Sequence, residues 1–387
     1  MKENKVIFVP FTVFQLVSSI YYAQKLKSEK TTTLLIWQNY TNCNINVYDY
    51  SAFFDIILEI DDFYKRGLFR RQWEKCFYAG WFYYFSPIHR QLKKYKNDNV
   101  TLVCFSDSMI VTTRIINEVA GFDRHHIVVC EEGIKTYTIE YPEHGKAWIF
   151  DKMLGAKESN YIGENKRIDS FVVKKPDELP ADKKKSRATV QQNDFFLDTS
   201  FMNCFSSGLN NYRIDSHKKT VLWLGQPLET DGISPESELR VLREIAQSLS
   251  DYNFVIKRHP RENQKKYDFL NESNVHVLDF GDSNWLPIEI IISKINPSTI
   301  ISVYSSAGLN LLQYLPDAIC LYIYPIFKMK PPKEFISIVE SEQNAYVVDD
   351  LSRFRNGIIE ERRSRIIHRK KVHNNDDDLN YFKSLLI

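Results

Sequence analysis

Twice along the chain, short apolar runs rich in Val, Ile and Leu alternate with stretches of helical spacing. This alternation restricts the fold more than any other feature. The first series contains KVIFVPF (5–11), TTTLLIWQN (31–39), FFDIILEID (53–61), VTLVCFSDS (100–108) and HHIVVCEEG (125–133). Between them lie helical patterns such as TVFQLVSSIYYAQKLKS (12–28) and IINEVAG (115–121), the latter with Gly121 placed as a C-cap. The second series runs through KTVLWLGQP (219–227), the amphipathic PESELRVLREIAQSLSD (235–251), YNFVIKRHP (252–260), VHVLDFG (275–281), LPIEIIISKI (286–295), TIISVYSS (299–306), AGLNLLQYL (307–315) and AICLYIYP (318–325). Strand and helix in alternation imply βα units on a parallel sheet. Two such series predict two Rossmann-like α/β domains, facing across a cleft that holds the active site at the carboxyl ends of the strands.

The stretch between the series, VKKPDELPADKKKSRATVQQ (173–192), is charged, proline-bearing and poor in apolar residues. It reads as a linker or exposed excursion. The expected organisation is an N-terminal domain over 1–172, a linker over 173–215 and a C-terminal domain over 216–387. The last helix is left free to pack back on the first domain.

Composition excludes several classes. The 387 residues carry 51 Lys and Arg against 49 Asp and Glu, a net charge of +2. A nucleic-acid binder would show a strong basic excess, so no nucleic acid is expected as a partner. The cysteines (Cys43, Cys76, Cys104, Cys130, Cys204 and Cys320) lack CxxC spacing, which argues against a zinc site or a disulfide scaffold. Cys104 and Cys130 sit in apolar runs and read as buried thiols. The amino terminus, MKENKVIFVPFTVF, fits a first strand better than a signal peptide, and no run of 18 apolar residues exists. The expected location is therefore cytoplasmic, at most peripheral to the inner face of a membrane.

Three polar clusters follow predicted strands: Glu131-Glu132-Gly133 after IVVC, Lys257-Arg258-His259-Pro260 after FVI, and Ser305-Ser306-Ala307-Gly308 after IISVY. Each alone has an ordinary explanation. An acid pair or a basic tetrapeptide can be a solvated turn, and a serine pair before a helix can be an N-cap. Together they occupy the rim where doubly wound proteins bind ligands. Hydroxyls and free N–H groups at a helix start suit a phosphate. A histidine beside Lys and Arg adds donors to that phosphate. A carboxylate on the other domain can take a proton from an acceptor hydroxyl. The set describes group transfer from a phosphate-activated donor.

These motifs resemble those of bacterial sialyltransferases: an acid-acid-glycine motif in the first domain, then His-Pro and paired-serine motifs in the second. With the opening FVPFTVFQLVSS, the chain looks most like glycosyltransferase family 52, the lipooligosaccharide and capsule α-2,3-sialyltransferases. The resemblance implies a GT-B fold, an inverting reaction, CMP-sialic acid as donor, no metal and no cofactor. The acceptor it implies is a galactose-terminated oligosaccharide or glycolipid. Carried over residue by residue, Glu132 is the general base. His259 contacts the donor phosphate and is the candidate general acid. Ser305 and Ser306 hydrogen-bond the phosphate, Lys257 approaches the cytosine, and Glu289 holds the ribose hydroxyls. The first motif carries glutamates where many relatives have aspartates, which leaves the division of labour between Glu131 and Glu132 open.

Several alternatives stay open beside that resemblance. Glu289 can be an exposed residue at the start of an amphipathic helix. Thr12 and Gln15 can line the acceptor side, as can Glu131, but a helix N-cap explains Thr12 equally well. Asp61-Asp62 and Asp349-Asp350 lack Asp-x-Asp spacing, so no metal is assigned. His125-His126 are expected before a strand, facing solvent. The basic stretch from Arg353, RFRNGIIEERRSRIIHRKKVHNN, is either a solvated helical face or a patch for anionic lipid or a lipid-linked acceptor. A second copy of the chain is left open as a partner. The competing functions are a GT-B transferase for another nucleotide sugar and an inactive protein that binds glycan or nucleotide.

Overall fold

The computed structural model describes residues 3–27, 30–38, 52–60, 81–139, 159, 161–192, 195–203, 205, 217–263, 265–268, 270, 272–280, 284, 286–366 and 377–386. Cys43, Asp61, Asp62, Cys76, Cys204 and residues 367–376 of the basic stretch lie outside the described residues. The chain divides into two compact units, Met1–Phe195 with Asn374–Ile387, and Phe196–His373.

The first unit holds a seven-stranded sheet. Its strands are β1 (Asn4–Val9), β2 (Thr31–Gln38), β3 (Ile56–Ile60), β4 (Asn99–Cys104), β5 (Arg124–Cys130), β6 (Ser170–Val173) and β7 (Ala188–Gln191), in the order β3-β2-β1-β4-β5-β6-β7. Every pairing is parallel. Val6 to Val9 and Val100 to Cys104 are all buried. Continuous apolar strands of this kind are the mark of a parallel sheet covered on both faces. Helices α1 (Val13–Leu26), α2 (Pro87–Lys93) and α3 (Ile110–Val119) connect the strands.

The second unit repeats the plan with β8 (Thr220–Leu224), β9 (Asn253–Lys257), β10 (Val275–Val277), β11 (Thr299–Ser302), β12 (Ile319–Tyr322) and β13 (Ala345–Val347). Their order is β10-β9-β8-β11-β12-β13, again all parallel. Its longer helices are α4 (Pro235–Ser248), α5 (Ile288–Ile295), α6 (Ser306–Tyr314) and α7 (Lys333–Ser341). Ser234 caps α4 by accepting from the Ser237 amide at 3.2 Å, with Pro235 in the first turn where its missing N–H costs nothing. Both units are thus Rossmann-like α/β domains.

The expected linker is not one over its first half. Residues 170–191 supply β6 and the outermost strand β7, with a helical turn between them. A sheet edge tolerates polar, lysine-rich sequence because one side faces solvent, so it looks like a loop in composition. Lys183 in this stretch is fully buried, its ammonium donating to the Thr136 carbonyl at 2.7 Å. Residues 206–216 of the expected linker lie outside the described residues.

The terminal helix α8 (Asp377–Ser384) packs on α1 and β7 of the first unit. The Tyr22 hydroxyl donates to Asp378 at 2.6 Å, and the His126 ring meets the Tyr381 hydroxyl at 2.8 Å. His126 therefore does not face solvent. Both histidines lie within β5, and His125 pairs with the Phe122 carbonyl at 3.1 Å.

Candidate active site

Two strand-end loops of the first unit carry polar side chains singled out in the sequence. After β1, Thr12 and Gln15 form a reciprocal capping box at the start of α1. The Gln15 amide donates to Thr12 Oγ1 at 3.4 Å, and Gln15 Oε1 accepts from the Phe11 and Thr12 amides at 2.9 and 3.3 Å. Gln15 is fully buried. Both of these side chains, expected on an acceptor surface, take part in starting the helix.

After β5 the adjacent glutamates separate. Glu131 continues the ladder, its amide donating to the Val172 carbonyl at 3.0 Å. Its buried carboxylate accepts from the Tyr137 hydroxyl and from the Lys174 amide at 2.7 Å. Burial raises its pKa, opposed by Lys174 and the Tyr137 hydrogen bond. Glu131 thus anchors the strand end to the chain after β6. Glu132 is half-buried, and only its backbone is tied down, donating to Thr136 Oγ1 at 2.9 Å. Among the described residues its carboxylate accepts no hydrogen bond. Burial pushes it up to about 7, with Lys135 pulling the other way. Gly133 has φ 135° and ψ −151°, a conformation nearly restricted to glycine, and it turns the chain away after the acid pair.

In the second unit, β9 and β11 flank β8. Lys257, the last residue of β9, is buried and donates to the Arg258 and Asn284 carbonyls at 3.1 and 2.8 Å. That use ties the loop before α5 to the strand end. The half-buried His259 begins a tight turn. The Glu262 amide donates to its carbonyl at 3.0 Å, and the Arg261 amide donates to Nδ1 at 3.1 Å. Nδ1 is thus an acceptor and the ring proton lies on Nε2. Burial lowers the imidazole pKa to about 4, helped by Arg261, Lys257 and Lys266. The ring is neutral at pH 7.

Beneath this turn lies a cluster that sequence reasoning missed. Glu262 accepts from the His259 amide at 2.6 Å, from Lys266 Nζ at 2.6 Å and from the Tyr267 hydroxyl at 2.9 Å. Lys266 also pairs with the buried Glu238 at 2.6 Å. The only sequence signal was the four-residue spacing of Glu262 and Lys266, which on an exposed helix means little. Gln226, after β8, connects this cluster to the serine motif. Its carbonyl accepts from Lys266 at 3.4 Å, and its Oε1 accepts from the Tyr304 amide at 2.9 Å and Ser302 Oγ at 3.3 Å. The His-Pro and paired-serine loops are thereby held to one another.

Ser305 is the N-cap of α6, its hydroxyl accepting from the Ala307 amide at 3.3 Å. Ser306 opens the first turn, half-buried, with no hydrogen bond from its hydroxyl among the described residues. A Cβ on Gly308 would lie 2.7 Å from both Cys320 Sγ and the Tyr322 hydroxyl, so only glycine lets α6 sit this close to β12. Glu289 is buried in the first turn of α5, which packs against α6, so it is not the exposed helix residue the sequence allowed.

The described part of the basic stretch is spent inside the second unit. Arg355 pairs with Glu244 at 2.7 Å, Arg363 donates to the Ser298 carbonyl at 2.8 Å, and Arg362 stacks over Tyr346. Ile358 and Ile359 are buried. Asp350 accepts from the Ser352 amide at 2.8 Å as a local cap. Among the described residues no group of three or more His, Cys, Asp or Glu side chains is placed to hold a metal, and no helix is long and apolar enough to cross a membrane.

The profile of the alpha-2,8-polysialyltransferase (POLYST) family matches residues 6–322. The chain belongs to this family of sialyltransferases. The match spans both units and all three motifs. It upholds the sialyltransferase resemblance at the level of the class and names a family other than glycosyltransferase family 52. No curated protein sequence matches the chain. In fold, this polysialyltransferase family member is similar to the kitacinnamycin glycosyltransferase, with a TM-score of 0.62, 10% identity and all of both chains covered. It is also similar to the UDP-GlcNAc 2-epimerase from Neisseria meningitidis bound to UDP-GlcNAc (TM-score 0.61, 14% identity, 99% of each chain). The calicheamicin glycosyltransferase follows at TM-score 0.52 and 11% identity, with 94% of this chain and 93% of that one covered. At such identities the likeness concerns the fold, which is GT-B.

Proposed function

We propose that the protein is an inverting sialyltransferase that moves sialic acid from CMP-sialic acid to a hydroxyl of a terminal sugar, with galactose as the favoured acceptor. The observation that carries this is Glu132, in a member of a sialyltransferase family. It is a carboxylate at a strand end that accepts no hydrogen bond among the described residues, with a pKa raised to about 7. That is where a general base works best. Glu132 takes the acceptor proton as the hydroxyl oxygen attacks the anomeric carbon. The bond from that carbon to the CMP phosphate oxygen breaks, and CMP leaves with the electron pair.

His259 Nε2–H, the Ser306 hydroxyl and the amino end of α6 receive the departing phosphate. A neutral imidazole is a hydrogen-bond donor and a poor acid, so His259 stabilises the leaving group without protonating it. This donor set supplies charge stabilisation without a metal. Glu289 is assigned to the ribose hydroxyls. The family is named for α-2,8 linkage, whereas the opening motif resembles α-2,3 enzymes of lipooligosaccharide and capsule synthesis.

The test is CMP release from CMP-sialic acid with galactosides and with α-2,8-sialylated oligosaccharides, followed by linkage analysis of the product. UDP- and GDP-sugars run in parallel. Turnover with one of those and none with CMP-sialic acid would overturn the donor assignment.

A further inference from the structure

A carboxylate side chain braces the turn that carries His259. The Glu262 side chain is buried, and one of its oxygens accepts from the His259 amide at 2.6 Å. The other oxygen is held by Lys266 and Tyr267. The Glu262 amide returns a bond to the His259 carbonyl, so residue 262 grips residue 259 from both sides. Between them, the Arg261 amide is delivered to Nδ1. The chain after β8 closes over the carboxylate: a Cβ on Gly225 would lie 2.3 Å from Glu262 Oε2.

We infer that Glu262 is a positioning residue that sets the tautomer and direction of the His259 imidazole, so that Nε2–H is presented as a fixed donor to an anionic leaving group. This rests on the assignment of His259 to the donor phosphate. The physical reason is that the Arg261 amide meets Nδ1 only while the turn keeps its shape. A neutral imidazole released from that contact samples both tautomers, and the part of its population with the proton on Nδ1 then offers a lone pair to an anion instead of a proton. Lys266 has a second carboxylate partner in Glu238, so neutralising Glu262 does not strand a buried ammonium. The depressed His259 pKa agrees with a ring held neutral in the free protein.

Nitrogen-15 NMR of the His259 imidazole in the full chain tests this without recourse to activity. The wild type should show one neutral tautomer with the proton on Nε2. Glu262→Gln should show both tautomers, with CMP affinity and turnover down about ten- to a hundredfold while the melting transition stays cooperative. Gly225→Ala, which pushes the carboxylate aside from the opposite direction, should move the same imidazole signals. An Nδ1–H tautomer in the wild type, or wild-type signals in Glu262→Gln, overturns the inference, and the first of these needs no variant to fold. Failure of the underlying assignment looks different: His259→Ala would leave CMP affinity unchanged while Glu262→Gln still altered the imidazole signals.

Discussion

The Tyr137 hydroxyl donates to the Glu131 carboxylate, and this contact decides which of two adjacent glutamates is available for chemistry. With the Lys174 amide it holds Glu131 Oε2, whereas the neighbouring Glu132 carboxylate accepts no hydrogen bond among the described residues. The two positions should therefore respond differently to substitution.

Glu131→Ala should act through stability. It strands a buried hydroxyl and a buried amide, each costing about 1 to 3 kcal/mol. The melting temperature should fall, and the turnover of the fraction that remains folded should change far less than in Glu132→Gln. Chemical denaturation followed by turnover per folded molecule checks this.

Glu132→Gln should lose about a hundred- to ten-thousandfold in turnover while keeping CMP affinity. It should also be more stable than wild type at pH 8. The folded-state pKa of Glu132, about 7, lies above its ordinary value of 4.5. Wild-type stability therefore falls as pH rises between those values, and the cost, on the order of 3 kcal/mol, is constant above about pH 7. The stability gap between the two proteins should close below about pH 4.5. A gap that is independent of pH would show that Glu132 is not perturbed.

The acid side of the pH profile should report one group. Transfer needs Glu132 ionised, so kcat/KM should rise with unit slope up to about pH 7 and then level off. His259, with its pKa near 4, contributes no step in that range. A second ionisation between pH 5 and 8 would contradict the neutral-imidazole assignment.

Ser305→Ala and Ser306→Ala should separate two roles. Ser305 caps α6, and its loss should cost roughly 0.5 to 2 kcal/mol of stability. Ser306 caps nothing, so its variant should melt normally and weaken CMP binding. Calorimetric titration with CMP on both folded variants distinguishes them. Unchanged affinity in Ser306→Ala removes that hydroxyl from the phosphate site.

The apolar strands were legible because each is buried on both faces and so is written as a run of Val, Ile and Leu. β1, β2, β4, β5, β8, β9, β11 and β12 all appear where their sequence places them. β7 did not show, since an edge strand keeps one side in water and can be written in Lys, Ser and Gln. The strand-end positions of Glu132, His259 and Ser305 followed from the alternation alone.

What each side chain does there did not follow, because it depends on groups distant in sequence. Lys174 arrives from β6 to claim Glu131, and Asn284 from the approach to α5 to claim Lys257. Gln226 arrives from β8 to tie Lys266 to the serine loop. Sequence by itself determined the layered α/β fold and the edge on which polar groups gather, since both come from local periodicity. Only the tertiary structure decided which of those groups are spent on the fold and which remain free, since a buried polar atom takes whatever partner the packing brings within about 3 Å.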